Sequence, residues 1–294
     1  MIPLPLIEQL RKIEIQTLRA TSHPTAGERR SLIRGRGFDF EQHRPYQTGD
    51  DYRQIDWNVT ARMQQPYIKK SREEKEMTAV ILVDLSRSMD FATARQSKRE
   101  LLLVVAATLA FSALHDHMKV GLLGFTDRIE MELPPQRRPA RAWRILDALW
   151  EIRPQSRGTS FIPALEHLDR TLKRASLLFC ISDFITQEEL FTSNSLRHLA
   201  RKHDFVPLII DDRLEEALPE SRGFLRLRDT EGGGEMLLHL SPGPRRRYET
   251  LMRERREALR RSLYQLGLDH LFLRAGESYL DPIMAFFLAR KRRR

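Results

Sequence analysis

Five side chains that end in oxygen, Asp84, Ser86, Ser88, Thr159 and Asp183, stand where metal chemistry is to be expected. Asp84-Leu85-Ser86-Arg87-Ser88 follows directly on the apolar and β-branched run at 78–83, the pattern of a strand buried on both faces. Asp183 follows a second such run at 176–182. Thr159 lies in Gly158-Thr159-Ser160, which opens the helix leading into that run. In an open α/β sheet, ligands bind in the crevice beyond the carboxyl ends of the strands, so all five fall on one rim. With no His and no Cys in the set, the donors are hard oxygens that suit Mg²⁺ better than zinc, with Mn²⁺ or Ca²⁺ as alternatives. Two carboxylates just neutralise a divalent ion. Magnesium takes about six oxygens and keeps some as water, so one position is open to an Asp or Glu of a partner. The competing reading is that Asp84 and Ser86 only cap the helix that follows, as short polar residues often do.

The elements that must position these residues alternate. After the strand at 78–83 the pattern predicts a helix at about 93–114, a strand at 119–125, and its hairpin partner at 128–133 across Thr126-Asp127. Helices follow at about 140–150 and from Phe161, then a strand at 176–182, a helix at 187–202 and a strand at 205–210. A charged helix at about 245–266, a strand near 270–274 and a helix near 279–290 complete the series. The fold class is therefore α/β: a doubly wound, mainly parallel sheet of about six strands, helices on both faces, with the antiparallel hairpin at one edge. Residues 219–243 interrupt the alternation with a predicted hairpin, 224–228 and 235–240, around Gly232-Gly233-Gly234. Ahead of all this, 1–34 reads as an amphipathic helix (4–20) and a polar linker. In 35–76 helical periodicity fades and turn residues dominate, which predicts a compact β-rich extension. The domain plan is 1–34, 35–76 and 77–294.

Composition narrows the function. Cys180 is the one cysteine of 294 residues, which excludes an internal disulfide framework and a Cys-based zinc site. The longest apolar run, 101–114, falls short of the ~20 residues that span a bilayer. No basic segment precedes an apolar one at the start, so a cytoplasmic location is expected. Formal charge is +10, and residues 245–294 alone hold 14 Lys/Arg against 6 Asp/Glu. Such a block attracts an acidic partner, nucleic acid or an anionic membrane. Arg255 and Arg256 are candidate partner contacts within it. Nucleic-acid binding stays open as an alternative, although only Tyr248 and Tyr264 interleave aromatics and no recognisable module is present. Catalysis is not expected. An aspartyl phosphatase wants a carboxylate two residues after Asp84, where Ser86 stands, and a two-metal hydrolase wants more carboxylates and a histidine or two.

Asp-x-Ser-x-Ser after a buried strand, then a Gly-Thr loop, then an Asp ending a later strand resembles the metal-ion-dependent adhesion site of von Willebrand factor type A domains, over roughly 77–294. The resemblance implies that Ser86, Ser88 and Thr159 ligate the ion while Asp84 and Asp183 hold it directly or through water. A second set, Gly35-Arg36-Gly37-Phe38-Asp39-Phe40, Arg44-Pro45-Tyr46, Gly49-Asp50-Asp51, Arg53, Ile55-Asp56-Trp57 and Ala61-Arg62, resembles the signature of the "domain of unknown function 58" family of bacteria and archaea. Asp39 replaces that family's usual Glu. The signature there precedes a type A-like domain and is commonly encoded beside AAA+ ATPases of the MoxR type. The resemblance thus implies an adaptor or co-chaperone for such an ATPase. In the signature, Asp50, Asp51, Arg53, Asp56 and Arg62 are dense enough in charge to predict an Arg–carboxylate network, with Tyr46 and Trp57 packed beneath it, in a structural role.

Overall fold

The computed structural model describes residues 43–47, 50–69, 77–91, 96–186, 188–220, 223–228 and 234–293. The helix expected at 4–20, its linker and the Gly35–Phe40 part of the signature lie outside them. The chain divides into two compact units, Gly35–Glu76 and a larger one that holds the residues from Met77 on.

In the smaller unit, β1 (His43–Pro45) pairs antiparallel with β2 (Tyr67–Lys69), and the seven-residue helix α1 (Trp57–Met63) lies between them in sequence. Among the described residues of this segment, helix stands beside the two short strands where a β-rich segment was expected. The reason is Asp56, whose Oδ1 accepts from Asn58 N at 3.0 Å and Val59 N at 3.2 Å and so starts a helix that periodicity over seven residues cannot reveal. Other carboxylates act alike: Asp51 accepts from Arg53 N, and Asp50 from Gln47 N. These bonds give the signature's carboxylates a backbone-capping role that charge density alone did not predict. Arg53 lies over the Tyr52 ring at 5.8 Å, and Arg62 is exposed in the last turn of α1. Tyr46 is half-buried, whereas Trp57 is 70% exposed, contrary to the packing expected for it. Trp57 is the first residue of a helix that buries none of its side chains.

The larger unit holds a six-stranded sheet in the order β10-β7-β6-β3-β4-β5. Its strands are β3 (Thr78–Asp84), β4 (Lys119–Phe125), β5 (Ile129–Gln136), β6 (Leu177–Ser182), β7 (Asp204–Asp211) and β10 (Leu271–Arg274). All neighbours are parallel except β4 and β5, so the hairpin forms an edge as the alternation predicted. Helices α2 (Lys98–His115), α3 (Arg141–Glu151) and α7 (Leu280–Arg293) cover one face, meeting Ala79, Ile81 and Val83. Helices α4 (Ile162–Thr171), α5 (Asn194–Lys202) and α6 (Pro242–Gln265) cover the other, meeting Val80 and Leu82. Alternate residues of β3 thus feed opposite cores, which is why the strand reads as a continuous apolar run. The inserted hairpin is β8 (Phe224–Arg228) with β9 (Glu235–His239).

Two helices start five or more residues later than expected. Helix α2 starts at Lys98, five residues later than predicted, because Ser97 and Glu100 form a capping box in which each side chain accepts the other's backbone N–H. The helix expected from 187 starts at Asn194, since Ser193 Oγ accepts from Leu196 N and a short 3-10 turn, Leu190–Thr192, precedes it.

Candidate metal centre

Strands β3 and β6 are neighbours, yet the chain leaves β3 towards α2 on one face and leaves β6 towards α5 on the other. A crevice opens between two such strands at their carboxyl ends. The register that pairs Val83 with Ile181 brings Asp84 level with Ser182. Ser182 Oγ donates to Asp84 Oδ2 at 2.6 Å, and Ser86 N donates to Asp84 Oδ1 at 2.8 Å. Ser86 and Ser88 turn their hydroxyls towards each other, Oγ to Oγ 3.0 Å, and Ser86 makes no side-chain cap to the short 3-10 turn Arg87–Asp90. Asp84 thus accepts from the backbone of its own loop, whereas Ser86 turns its hydroxyl to Ser88 and caps nothing.

The loop carrying Thr159 is tied to both neighbours. Arg87 N donates to Arg157 O at 3.2 Å, Ser160 N to Thr126 O at 3.0 Å and Phe161 N to Glu188 Oε2 at 2.9 Å, while Ser160 Oγ donates to Glu188 Oε1. These bonds bring the loops after β3, before α4 and after β6 together and set half-buried Thr159 within them. Asp183 Oδ1 accepts from Ile185 N at 2.9 Å, and its Oδ2 accepts from Lys98 Nζ at 2.7 Å. Asp84, at the end of β3, and the other four oxygen-bearing residues named from sequence, on the three loops, thus stand around the crevice.

Asp84, Ser86 and Lys98 are 0% exposed. Burial and then the charge of Asp183 push the Asp84 carboxyl up to about 7, against the opposing hydrogen bonds from Ser182 and Ser86. Lys98 also reaches Glu215 Oε1 at 2.5 Å. Burial pulls the lysine's pKa down, but Asp183 and Glu215 together outweigh it and hold the ammonium above its ordinary value. Burial raises Glu215, and Lys98 restrains that rise. Cys180, on β6 below the rim, is raised well above the ordinary thiol value by burial and by Asp84, as befits an inert core residue. Among the described residues, no group of three or more His, Cys, Asp and Glu is placed to hold a metal ion, so a cation at this rim has to use hydroxyl oxygens.

Sequence reasoning missed Lys98, Ser182, Glu188 and Glu215. Two had a positional signal: the Ser97-x-x-Glu100 box fixes Lys98 as the first residue of α2, and the Asp212-x-x-Glu215 box fixes Glu215 at the third position of a short turn. The two arginines expected as partner contacts differ in their surroundings. Arg255 is exposed. Arg256 is half-buried: it pairs with Asp211 at 3.2 Å and with Glu216, and lies over the Phe272 ring at 4.8 Å. Arg290, also in the basic C-terminal block, is buried between Asp204 and Asp269, at 2.6 and 2.9 Å. No helix among the described residues is long and apolar enough to cross a membrane.

A family model described as "Protein of unknown function DUF58" matches residues 42–258. Uncharacterized proteins of Mycobacterium tuberculosis (Rv1480) and Mycobacterium bovis (Mb1516) are each 28% identical over 291 residues, 98% of this chain and 90% of theirs. Among solved structures, the conserved hypothetical protein BatB of Bacteroides thetaiotaomicron aligns over 74% of this chain and 100% of its own, with 16% identity and a TM-score of 0.43. An aerotolerance-related membrane protein of Bacteroides fragilis aligns over 64% and 99%, with 16% identity and a TM-score of 0.39.

Proposed function

Since the chain belongs to the DUF58 family of proteins of unknown function, whose description assigns no activity, we propose from its own residues that it is a non-catalytic binding module gripping partner proteins through one divalent cation. The observation that carries this reading is the meeting of Asp84, Ser86, Ser88, Thr159 and Asp183 at the switch point of the sheet. Ser86 and Ser88 Oγ are 3.0 Å apart, close enough for both hydroxyls to be offered to one hard cation. The buried carboxylates of Asp84 and Asp183 repel each other, and a divalent ion relieves that repulsion. The donors thus fit a hard cation: Mg²⁺ first, with Mn²⁺ and Ca²⁺ as alternatives. In this reading the rim is a metal-ion-dependent adhesion site in a von Willebrand factor type A-like domain.

Ser86, Ser88 and Thr159 offer hydroxyls to the ion. Asp84 is held for its part by two donors, Ser86 N on one carboxylate oxygen and Ser182 Oγ on the other. Asp183 is held by Ile185 N and Lys98 Nζ in the same way. When bound, the ion supplies a Lewis-acidic position that one Asp or Glu of a partner completes, a directional bond that a chelator abolishes. By the family's signature we propose that the partner is a MoxR-type AAA+ ATPase, for which this chain is an adaptor or co-chaperone, and that it works in the cytoplasm.

Two measurements test this. Mg²⁺ or Mn²⁺ is expected to raise the melting temperature, with a stabilisation of about 2.7 kcal/mol at a hundredfold excess over Kd, and Asp84→Ala to abolish the rise. Binding to a MoxR-type ATPase from the same organism is expected in Mg²⁺ and not in EDTA. Equal stabilisation of wild type and Asp84→Ala by metal overturns the reading.

One observation favours the alternative, nucleic-acid binding: Arg246, Arg247, Arg253, Arg255, Arg260 and Arg261 are all exposed on α6. A salt titration against DNA and RNA separates the two, because phosphate binding gives a steep fall of affinity with salt that EDTA leaves untouched.

A further inference from the structure

Lys98 is a lysine with no exposure to solvent, held between two carboxylates from distant parts of the chain: Asp183 Oδ2 at 2.7 Å and Glu215 Oε1 at 2.5 Å. Its backbone N–H donates to Phe91 O at 3.2 Å and its ammonium lies 5.9 Å from the centre of the Phe91 ring. The capping box of Ser97 and Glu100 fixes the backbone from which it projects. Glu215 is placed just as firmly, since its Oε2 accepts from Asp212 N at 3.1 Å in a second capping box.

The charge balance at the rim depends on this lysine. Once a cation holds Asp84 ionised, Asp84, Asp183 and Glu215 supply three negative charges and Lys98 one positive, leaving two among these buried groups, the charge that one divalent cation cancels. Asp211, the next carboxylate along, is matched by Arg256 at 3.2 Å. We infer that Lys98 is a positioning residue that sets the charge selectivity of the rim: by neutralising one carboxylate and holding Asp183, it tunes the site to a divalent ion. This inference rests on the metal-binding reading above and adds to it a residue that touches no ion.

The mechanism is Coulombic. In a buried site, a unit charge several ångströms away changes cation affinity by far more than it does in water. Removing the ammonium leaves three uncompensated carboxylates, which favours every cation and favours a trivalent one most. Removing the charge of Glu215 leaves the ammonium opposed by Asp183 alone, which weakens every cation. The two changes therefore have opposite signs, whereas loss of a merely structural ion pair would weaken binding in both.

The test is titration of the full chain with Mg²⁺ and with Tb³⁺, followed by thermal shift and by terbium luminescence, in wild type, Lys98→Met and Glu215→Gln. Lys98→Met is expected to raise the preference for Tb³⁺ over Mg²⁺ on the order of tenfold or more, and Glu215→Gln to lower Mg²⁺ affinity on the order of tenfold. If Lys98→Met does not fold, Glu215→Gln decides by the ratio of the two cations: Tb³⁺ weakened more than Mg²⁺ in a folded protein supports the inference, and both weakened alike or neither weakened overturns it. Binding by wild type with both variants weakened, or both unchanged, overturns the inference and leaves the metal reading standing. No binding of either cation by wild type overturns the metal reading and the inference with it.

Discussion

Ser182 Oγ donates to Asp84 Oδ2 at 2.6 Å, joining the carboxyl ends of two adjacent parallel strands inside the core of the sheet. Both residues are fully buried, so water cannot replace the bond. Ser182→Ala leaves a buried carboxylate oxygen without that donor and is expected to destabilise the fold by about 1–3 kcal/mol at pH 8. Urea denaturation of the two proteins measures it. A loss below ~0.5 kcal/mol would show that the bond contributes nothing net.

The Asp84 carboxyl gives a pH dependence whose sign is unusual for an aspartate. Its folded value of about 7 lies above the ordinary 3.8, so between those values the folded chain keeps a proton that the unfolded chain has released. For this group, stability is fully present below about pH 4 and is lost as pH rises through about 7. Buried His203, lowered to about 4, acts in the opposite direction below its ordinary 6.5, since acid favours the unfolded chain there. The difference between wild type and Asp84→Asn therefore isolates the aspartate. In EDTA, urea melts from about pH 4 to about pH 8 are expected to show wild type losing stability relative to Asp84→Asn as pH rises. Parallel curves would mean that Asp84 is ionised throughout.

Arg255 and Arg256 are neighbours with different work. Arg255→Glu on the exposed side of α6 is expected to change stability by less than ~0.5 kcal/mol and to act on association with an acidic partner, mainly by slowing it. Arg256→Glu sets a carboxylate against Asp211 and Glu216 and is expected to destabilise the fold by several kcal/mol. Thermal melts of both variants, beside association rates over a salt series, separate fold from binding. Equal melting temperatures would refute the distinction.

How much of this was legible in the sequence depended on how local each cause is. The strands were readable because residues such as Val80 to Val83 face two cores and leave an unbroken apolar run. Asp84 and Asp183 were readable because each is a charge placed where such a run stops. Lys98 was not, since a lysine in Ser-Lys-Arg-Glu looks like an ordinary first-turn surface charge, and its burial depends on Glu215, 117 residues away. Trp57 misled for the reverse reason: a large aromatic among charges suggests a small core, but a seven-residue helix capped by Asp56 turns it to solvent.

Gly124 supports the rim from beneath. It pairs with Val83 in the β3–β4 register, and a Cβ there would lie 2.6 Å from Leu85 Cδ1 and 2.7 Å from Met131 Cγ. Leu85 is buried and stands between Asp84 and Ser86 in the chain, so a displaced Leu85 carries those two residues, proposed to hold the cation, with it. Gly124→Ala is therefore expected to destabilise by about 1–3 kcal/mol through overpacking and to reduce the melting-temperature rise given by Mg²⁺. Leu85→Ala alone is expected to lose about 2–5 kcal/mol to the cavity it leaves. Combined, the two should lose less than their sum by about 0.5–3 kcal/mol, because the added methyl enters the space the leucine vacates. Denaturant midpoints of the four proteins give the coupling directly. Strict additivity would show that Met131, and not Leu85, yields to the methyl, and that the rim is insulated from the strand below it.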